Sequence, residues 1–244
     1  MSSFYHLAIF NPLYNILIAL FGIPLVDAGV AVIILTVIVR LILYPLSKKA
    51  VTTQVRMQEI APELAKIKEK YPDSQEQAQK TLELYKQKSV NPFSGVFVLL
   101  IQLPIIFALY RIFLQTGFPQ VDTPLLYSFV HIPTHISTMF LGLFDITHKS
   151  IVLALLAAVS AYFQISLATS RQPAPTKTSK SGFGDDLARS MQTQMKYFFP
   201  IIVFFIAYKI SGVVALYWLT TNLFTIGQEI VVRKNLSKEN ILVS

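Results

Sequence analysis

Apolar residues in this chain are gathered into runs long enough to cross a bilayer, which restricts it to an integral membrane protein built of helices. A span needs about 20 predominantly apolar residues. Ala28 to Leu46, Phe93 to Leu114, Ile151 to Ala168 and Tyr197 to Trp218 reach or approach that length, and the last run continues toward Val232. That run is too long for one helix, and Lys209-Ile210-Ser211-Gly212 divides it into Met195 to Ile210 and Val213 to Val232. The expected fold is all-α with five transmembrane helices.

Orientation follows from the lysines and arginines, which are enriched in short cytoplasmic loops. The segment after the first span carries Lys48, Lys49, Arg56, Lys66, Lys68, Lys70, Lys80, Lys86 and Lys88, whereas the segment after the second carries only Lys149. Arg171, Lys177, Lys180, Arg189 and Lys196 follow the third span, and Arg233, Lys234 and Lys238 follow the fifth. Every basic cluster then falls on one side if the N-terminus is outside and the C-terminus cytoplasmic. The net charge of +8 is thereby mostly topology and gives no reason to expect specific DNA binding, although a basic tail suits ribosomal RNA phosphates.

The resulting plan has an outer interfacial helix at 1–25, spans at 26–46, 92–116, 150–169, 195–211 and 212–232, a cytoplasmic helical hairpin at 47–91, an extracytoplasmic loop at 117–149, a cytoplasmic linker at 170–194 and a cytoplasmic tail at 233–244. Asn11-Pro12 and Gly22-Ile23-Pro24 bracket the N-terminal helix, with a short sixth span as the alternative. No basic leader or small-residue cleavage site precedes it, which argues against a cleaved signal peptide. In the hairpin, Val51, Val55, Met57, Ile60, Leu64 and Ile67 recur at helical spacing, Tyr71-Pro72-Asp73-Ser74 makes a turn and cap, and Ala78, Leu82 and Tyr85 continue on a second helix. Pro62 predicts a kink or a restart in the first arm. Both a solvated pair of helices and a mobile partner-binding arm fit this pattern. The linker is rich in Pro, Ser, Thr, Lys and Gly, and no internal repeat supports an inverted-repeat transporter.

Cysteine is absent, which removes disulfides, thiolate metal sites, thiol nucleophiles and a lipidated cysteine. His131, His135 and His148 fall in the outer loop, but Pro133 breaks the helical spacing a metal pair would use. Ser160 and Ser211 lack a histidine or lysine base at matching depth, and no glycine-rich phosphate loop is present. The chain is expected not to be an enzyme and to need no cofactor.

Arg40 is the exception in the first apolar run. A guanidinium near the hydrocarbon core costs roughly 2.5–3.5 kcal/mol on insertion scales, so it is paired, snorkelled or bathed by cavity water. Arg40 lies about six residues, or roughly 9 Å, from the cytoplasmic end of its run. Three fates stay open: snorkelling, a long salt bridge to Glu229, or projection into a groove open to the cytoplasm. Thr36 and Tyr44 share its face one turn either side, and Trp218, Thr221, Asn222, Thr225 and Glu229 fall within a roughly 100° arc of the fifth span. Gln102, Gln164 and Ser160 add polar groups on the second and third spans; taken singly, the two glutamines read as glue between helices. A groove of this kind would shorten the distance over which a nascent segment must be desolvated, draw its acidic residues to Arg40, and release its apolar part sideways into lipid.

These residues resemble the YidC family of membrane protein insertases, with relatives in mitochondria and chloroplasts. The resemblance rests on Asn11-Pro12-Leu13-Tyr14-Asn15, Ile34 to Leu46 around Arg40, Met57-Gln58-Glu59-Ile60 with Pro62, Lys70-Tyr71-Pro72, Asn91-Pro92-Phe93-Ser94-Gly95, Gln102 to Tyr110, and Leu216-Tyr217-Trp218-Leu219-Thr220-Thr221-Asn222. It implies a five-helix core with a cytosol-facing hydrophilic groove in which Arg40, with Gln164 and Trp218 lining it, receives clients, and a flexible hairpin needed for activity. The implied partners are nascent membrane protein clients and lipids, with the Sec translocon and the ribosome beside them, in the bacterial plasma (inner) membrane. No large extracytoplasmic domain, lipidation cysteine or long basic C-terminal extension is expected, which weakens stable ribosome docking. Two other readings remain at this point: a small anion channel or transporter using Arg40 as the anion site, and an assembly chaperone without translocation.

Overall fold

The computed structural model describes residues 3–91, 94–114, 119–169 and 183–243. The chain is almost wholly helical. A continuous N-terminal run comprises α1 (Ser3–Tyr5), a π-helical turn (His6–Phe10) and α2 (Asn11–Phe21). Helix α3 (Ala28–Ile42) starts at Asp27, whose Oδ1 accepts from the Val30 amide at 2.8 Å and satisfies one orphan donor of the first turn. It ends where Pro45 cannot donate a helical hydrogen bond. The chain bends by 67° there, and α4 (Tyr44–Glu59) departs in a new direction. Tyr44 to Leu46, assigned to the first span from sequence, therefore belong to the following helix.

A second break at Ile60 separates α4 from α5 (Ala61–Lys70), with Pro62 in the first turn, where its missing N–H has no intrahelical role. Of the two expectations for Pro62, the restart is the outcome. Asp73 caps α6 (Ser74–Gln87) through the amides of Gln75 and Glu76, both at 2.9 Å. The arm thus contains three helices where the apolar spacing suggested two, because the sequence rhythm carries through the break at Ile60.

Helices α7 (Ser94–Leu114), α8 (Ile151–Thr169), α9 (Phe183–Ile210) and α10 (Gly212–Val243) complete the bundle. Ser211 alone divides the long C-terminal apolar run, close to where the polar interruption placed the break. The two amides after it are held by the outer loop: Gly212 donates to the His148 carbonyl and Val213 to the Ile146 carbonyl, each at 2.8 Å. A Cβ on Gly212 would stand 3.0 Å from the Ile146 Cα, so the close approach needs glycine. The outer loop also forms a short hairpin, β1 (Met139–Phe140) with β2 (Phe144–Asp145), antiparallel with Phe140 opposite Phe144. Of the linker expected at 170–194, residues 170–182 lie outside the described residues, whereas 183–194 are helical and belong to α9, which starts well before the span expected at 195.

Helix α10 is the hub, touching α3, α4, α7, α8 and α9. One buried cluster runs from Tyr14 and Leu17 through Val32 and Leu35 to Leu109 and Leu216; a smaller one joins Ala157, Ala161 and Val203, with Trp218 and Leu219 packed against both. The outward faces are equally apolar. Leu155, Val159 and Phe163 on α8, Phe198, Ile201 and Phe205 on α9, and Leu103 and Phe107 on α7 are exposed, which suits a lipid surface and would be an aggregation hazard in water. Among the described residues, Ser3–Phe21 and Ile151–Thr169 are each long and apolar enough to cross a membrane, and the bent pair α3–α4 adds a third span if taken together.

The N-terminal run crosses one end of this bundle. Its first turns meet the C-terminal end of α7, where Arg111 lies 5.0 Å over the Phe10 ring and 3.3 Å from His6. Its last turn leads directly to the start of α3. Between them, Asn15 donates to the Leu125 carbonyl at 2.9 Å and accepts from the Tyr127 amide at 2.7 Å, and Tyr14 Oη accepts from the Asp122 amide at 2.7 Å.

The contact between α3 and the hairpin yields a stability prediction. A Cβ built on Gly29 falls inside the Phe140 side chain, close to its root, where rotation cannot relieve the clash. Gly29→Val is expected to cost about 1–3 kcal/mol through overpacking, seen as a lower thermal midpoint in detergent. An unchanged midpoint would mean that the hairpin does not dock on α3 as described.

Candidate functional site

The buried stripe of α3 comprises Ala28, Gly29, Ala31, Val32, Leu35, Thr36 and Arg40, so the apolar packing that seats the helix also points Arg40 inward. Because α3 ends at Ile42, Arg40 occupies its last turn, nearer to a helix end than the length of the apolar run implied. A cation there meets the negative end of the helix dipole, which favours it. The side chain is only 7% exposed. Its Nη2 donates to Gln102 Oε1 of α7 at 2.8 Å, and Gln102 Nε2 donates in turn to Tyr217 Oη of α10. Tyr217 is itself fully buried. A polar chain thus crosses three helices through an otherwise apolar layer.

No carboxylate completes it. The ion pairs among the described residues are Lys80–Glu83, Lys88–Glu63, His148–Asp145 and Arg233–Glu229, none with Arg40. Glu229, the one acid that sequence offered as a distant partner, is bound to Arg233 one turn along its own helix, at 2.7 Å. The guanidinium has five N–H donors, and the bond to Gln102 is its single hydrogen bond among the described residues.

A second polar contact joins α8 to α10. Asn222 Nδ2 donates to Ser160 Oγ at 3.0 Å and to the Ala157 carbonyl at 3.3 Å, while Ser160 Oγ donates to that same carbonyl at 2.8 Å. Of the polar arc read on the last helix, Asn222 turns toward α8 and Glu229 pairs with Arg233, while Tyr217, outside that arc, turns toward α7. Thr36 and Thr225 donate to their own helices, at Val32 and Thr221. The side chains of Tyr44, Gln164 and Trp218 are half-buried and make no hydrogen bond to another described residue; Thr221 is buried near Tyr217.

At the other end of α10 a third polar group holds α4 in place. Ser47 and Gln228 bond each other, with Gln228 Nε2 donating at 2.7 Å. Gln54 and Gln58 both donate to the Ala168 carbonyl, at 2.9 and 3.0 Å, satisfying an acceptor that the last turn of α8 leaves free. Gln58 Oε1 also accepts from Arg233 Nη1 at 3.2 Å. Outside the spans, burial alone would raise Asp145, but donors from Thr147 and Thr138 and the neighbouring His148 hold its carboxyl below the usual range.

Sequence reasoning did not single out Tyr217, Gln228, Gln54, Gln58 or Arg233 as members of these groups. For Tyr217 a signal existed: it is a hydroxyl within an apolar run, beside Trp218, and a buried tyrosine finds a partner for its O–H. The glutamines of α4 looked like an ordinary solvated face, and only the 67° bend brings them under α8.

With this geometry in view, the comparisons with known proteins are decisive. The family described as 60Kd inner membrane protein matches residues 20–239. The chain belongs to that family. Relatives named Membrane protein insertase YidC include one from Clostridium tetani, 32% identical over 212 residues that cover 86% of this chain and 84% of the relative. Others come from Fusobacterium nucleatum, 31% identical over 207 residues (84% and 86%), and Clostridium perfringens, 32% identical over 206 residues (83% and 78%). The 60Kd inner membrane protein match takes in Arg40, Gln102, Tyr217 and both other polar groups, and its bacterial inner-membrane setting agrees with the apolar outer faces of the helices.

Proposed function

We propose that this chain is a membrane protein insertase in which Arg40 is the receiving charge of a hydrophilic path leading in from the cytoplasm. The observation that carries the reading is a buried guanidinium whose single described partner is a neutral amide. A carboxylate partner would hold the charge permanently; Gln102 accepts one hydrogen bond and leaves the net charge unspent. An incoming segment with acidic side chains and unpaired backbone carbonyls supplies the acceptors that the remaining donors lack. Its apolar part then moves into lipid past the exposed faces of α8 and α9. Each backbone group satisfied on the way lowers a cost of several kcal/mol per unsatisfied group.

In this reading α3, α7, α8, the later part of α9 and the first part of α10 are the five spans, with α3 entering from the outside. The N-terminal run lies along the outer interface, as supported by its contacts with the end of α7 and the start of α3. The basic residues of the α4–α6 arm then face the cytoplasm. Gln102, Tyr217, Thr36, Tyr44, Thr221 and Thr225 border the path near Arg40, and Ser160, Gln164, Trp218 and Asn222 border it on the α8 side. Clients are nascent membrane proteins, met alone or beside the Sec translocon and the ribosome.

A photocrosslinker at Gln164 or Trp218, in proteoliposomes making a short single-span client, tests this. Client attachment together with protease protection of its terminus is expected, and both signals should weaken in Arg40→Glu. A folded, correctly oriented protein giving neither signal would overturn the reading.

A further inference from the structure

We propose that the hairpin tip Leu141-Gly142-Leu143, together with Leu25, inserts into the outer leaflet as a lipid anchor beside the start of α3. The argument begins with backbone conformation. Leu25 has φ +68° and Leu141 φ +52°, a region that disfavours side chains with a Cβ and that turn-forming Gly, Asn or Asp ordinarily occupy. Leu141 and Gly142, the latter at φ +69°, are the central residues of a turn closed by the Leu143 amide donating to the Phe140 carbonyl at 2.9 Å. Two consecutive positive φ values suit a primed hairpin turn, for which Asn-Gly is the favoured pair. Leucine in the first of these positions carries the conformational cost and no local hydrogen bond in return.

These leucines also gain nothing from the protein interior. Leu25 is 101% exposed, Leu141 64% and Leu143 71%. A Cβ placed on Gly142 meets no atom within 4 Å, so the tip stands clear of the rest of the molecule. One carboxylate ties the two loops together: Asp27 caps α3 with one oxygen and accepts from the Leu141 amide with the other, at 2.7 Å, two residues from Leu25. The Ala28 amide adds a bond to the Ser137 carbonyl at 2.9 Å. Ile23 is half-exposed in the same corner.

Polarity is graded along the hairpin. Its base holds Asp145, bonded to Thr138 and Thr147, with His148 81% exposed beside it and Lys149 next in sequence. From Thr138 to Phe144, and again from Ile23 to Val26, there is no charged residue. A polar base and an apolar tip are what an element needs to stand at a membrane interface with its end in lipid. Lipid is the occupant the surroundings favour, because the exposed leucines stand uncharged at the start of α3, which the proposed topology places at the outer interface. The inference rests on that topology but not on client insertion.

The absence of cysteine gives a direct test. Leu25→Cys, Leu141→Cys, Leu143→Cys and, as a control, Lys149→Cys are labelled singly with an environment-sensitive fluorophore in phosphatidylcholine nanodiscs, which leave both faces open to solution. Labels at 25, 141 and 143 are expected to be quenched by a lipid carrying a nitroxide near its headgroup and to be several-fold less sensitive to iodide than the label at 149. Iodide sensitivity equal to the control would overturn the anchor, as would protection from both quenchers, which signals cover by protein instead of lipid. An unchanged thermal midpoint verifies that each labelled chain is folded, and client insertion is scored separately, so failure here leaves the proposed function standing.

Discussion

Arg40→Glu is expected to reduce insertion of a client with an acidic translocated terminus by about tenfold or more, equivalent to at least ~1.4 kcal/mol, while Arg40→Lys keeps most of the activity. The direction follows from Coulomb's law. Two unit charges 4 Å apart interact by about 4 kcal/mol at an effective dielectric of 20, so reversing the sign turns an attraction of that order into a repulsion, and incomplete contact or residual water reduces the observed effect. The substitution can be read as a test of charge because Gln102 is an amide: turned about, its Nε2 donates to a glutamate where its Oε1 now accepts from Arg40. Lysine retains the charge and can donate to Gln102, but its ammonium lacks the planar fork that engages two acceptors at once. Clients graded by the number of acidic residues should show a graded loss. Equal insertion by the arginine, lysine and glutamate forms would remove electrostatic capture from the mechanism, leaving α3, α7 and α10 as packing surfaces only.

Much of this architecture was legible in the sequence, for identifiable reasons. The apolar runs, the break at Ser211 and the cap at Asp73 are local signals carried by a few neighbouring residues. Arg40 stood out because a cation in an apolar run demands an explanation wherever it is placed. What sequence could not supply was the partner, since Arg40 and Gln102 are 62 residues apart and helical spacing says nothing about which face of α7 meets α3. The same limit applied to α10. One continuous polar arc suggested one lining, whereas Asn222 serves α8, Glu229 is held by Arg233 of its own helix, and Tyr217, outside the arc, serves α7, because α10 lies in the middle of the bundle. The bend after Ile42 was hidden for another reason: Pro45 is favourable in the first turn of a helix, so it was compatible both with a span ending at Leu46 and with a new helix beginning at Tyr44.

That bend places the second large effect at Arg233. Glu229 is 2% exposed and its one ion-pair partner among the described residues is Arg233, 12% exposed, with Nη2 at 2.7 Å and Nε donating at 2.9 Å. Arg233→Met removes the partner and leaves a carboxylate with almost no access to water. Breaking a buried pair from one side costs about 3–5 kcal/mol, because the remaining charge is uncompensated. Converting both residues, as Arg233→Met with Glu229→Gln, removes the charge problem and is expected to recover most of the loss. Unfolding by denaturing detergent in bicelles, run as a double-mutant cycle, separates the two cases. A cost below about 1 kcal/mol for the single change would place the pair with exposed ion pairs of small worth. The functional consequence follows from the third member. Arg233 also donates to Gln58, whose amide reaches the Ala168 carbonyl, so losing Arg233 frees the segment of α4 that fastens the arm beneath α8 and α10. The stability loss should then be accompanied by faster proteolysis around Glu59, and the double variant should restore stability more completely than it restores protection there, because methionine supplies no donor for Gln58.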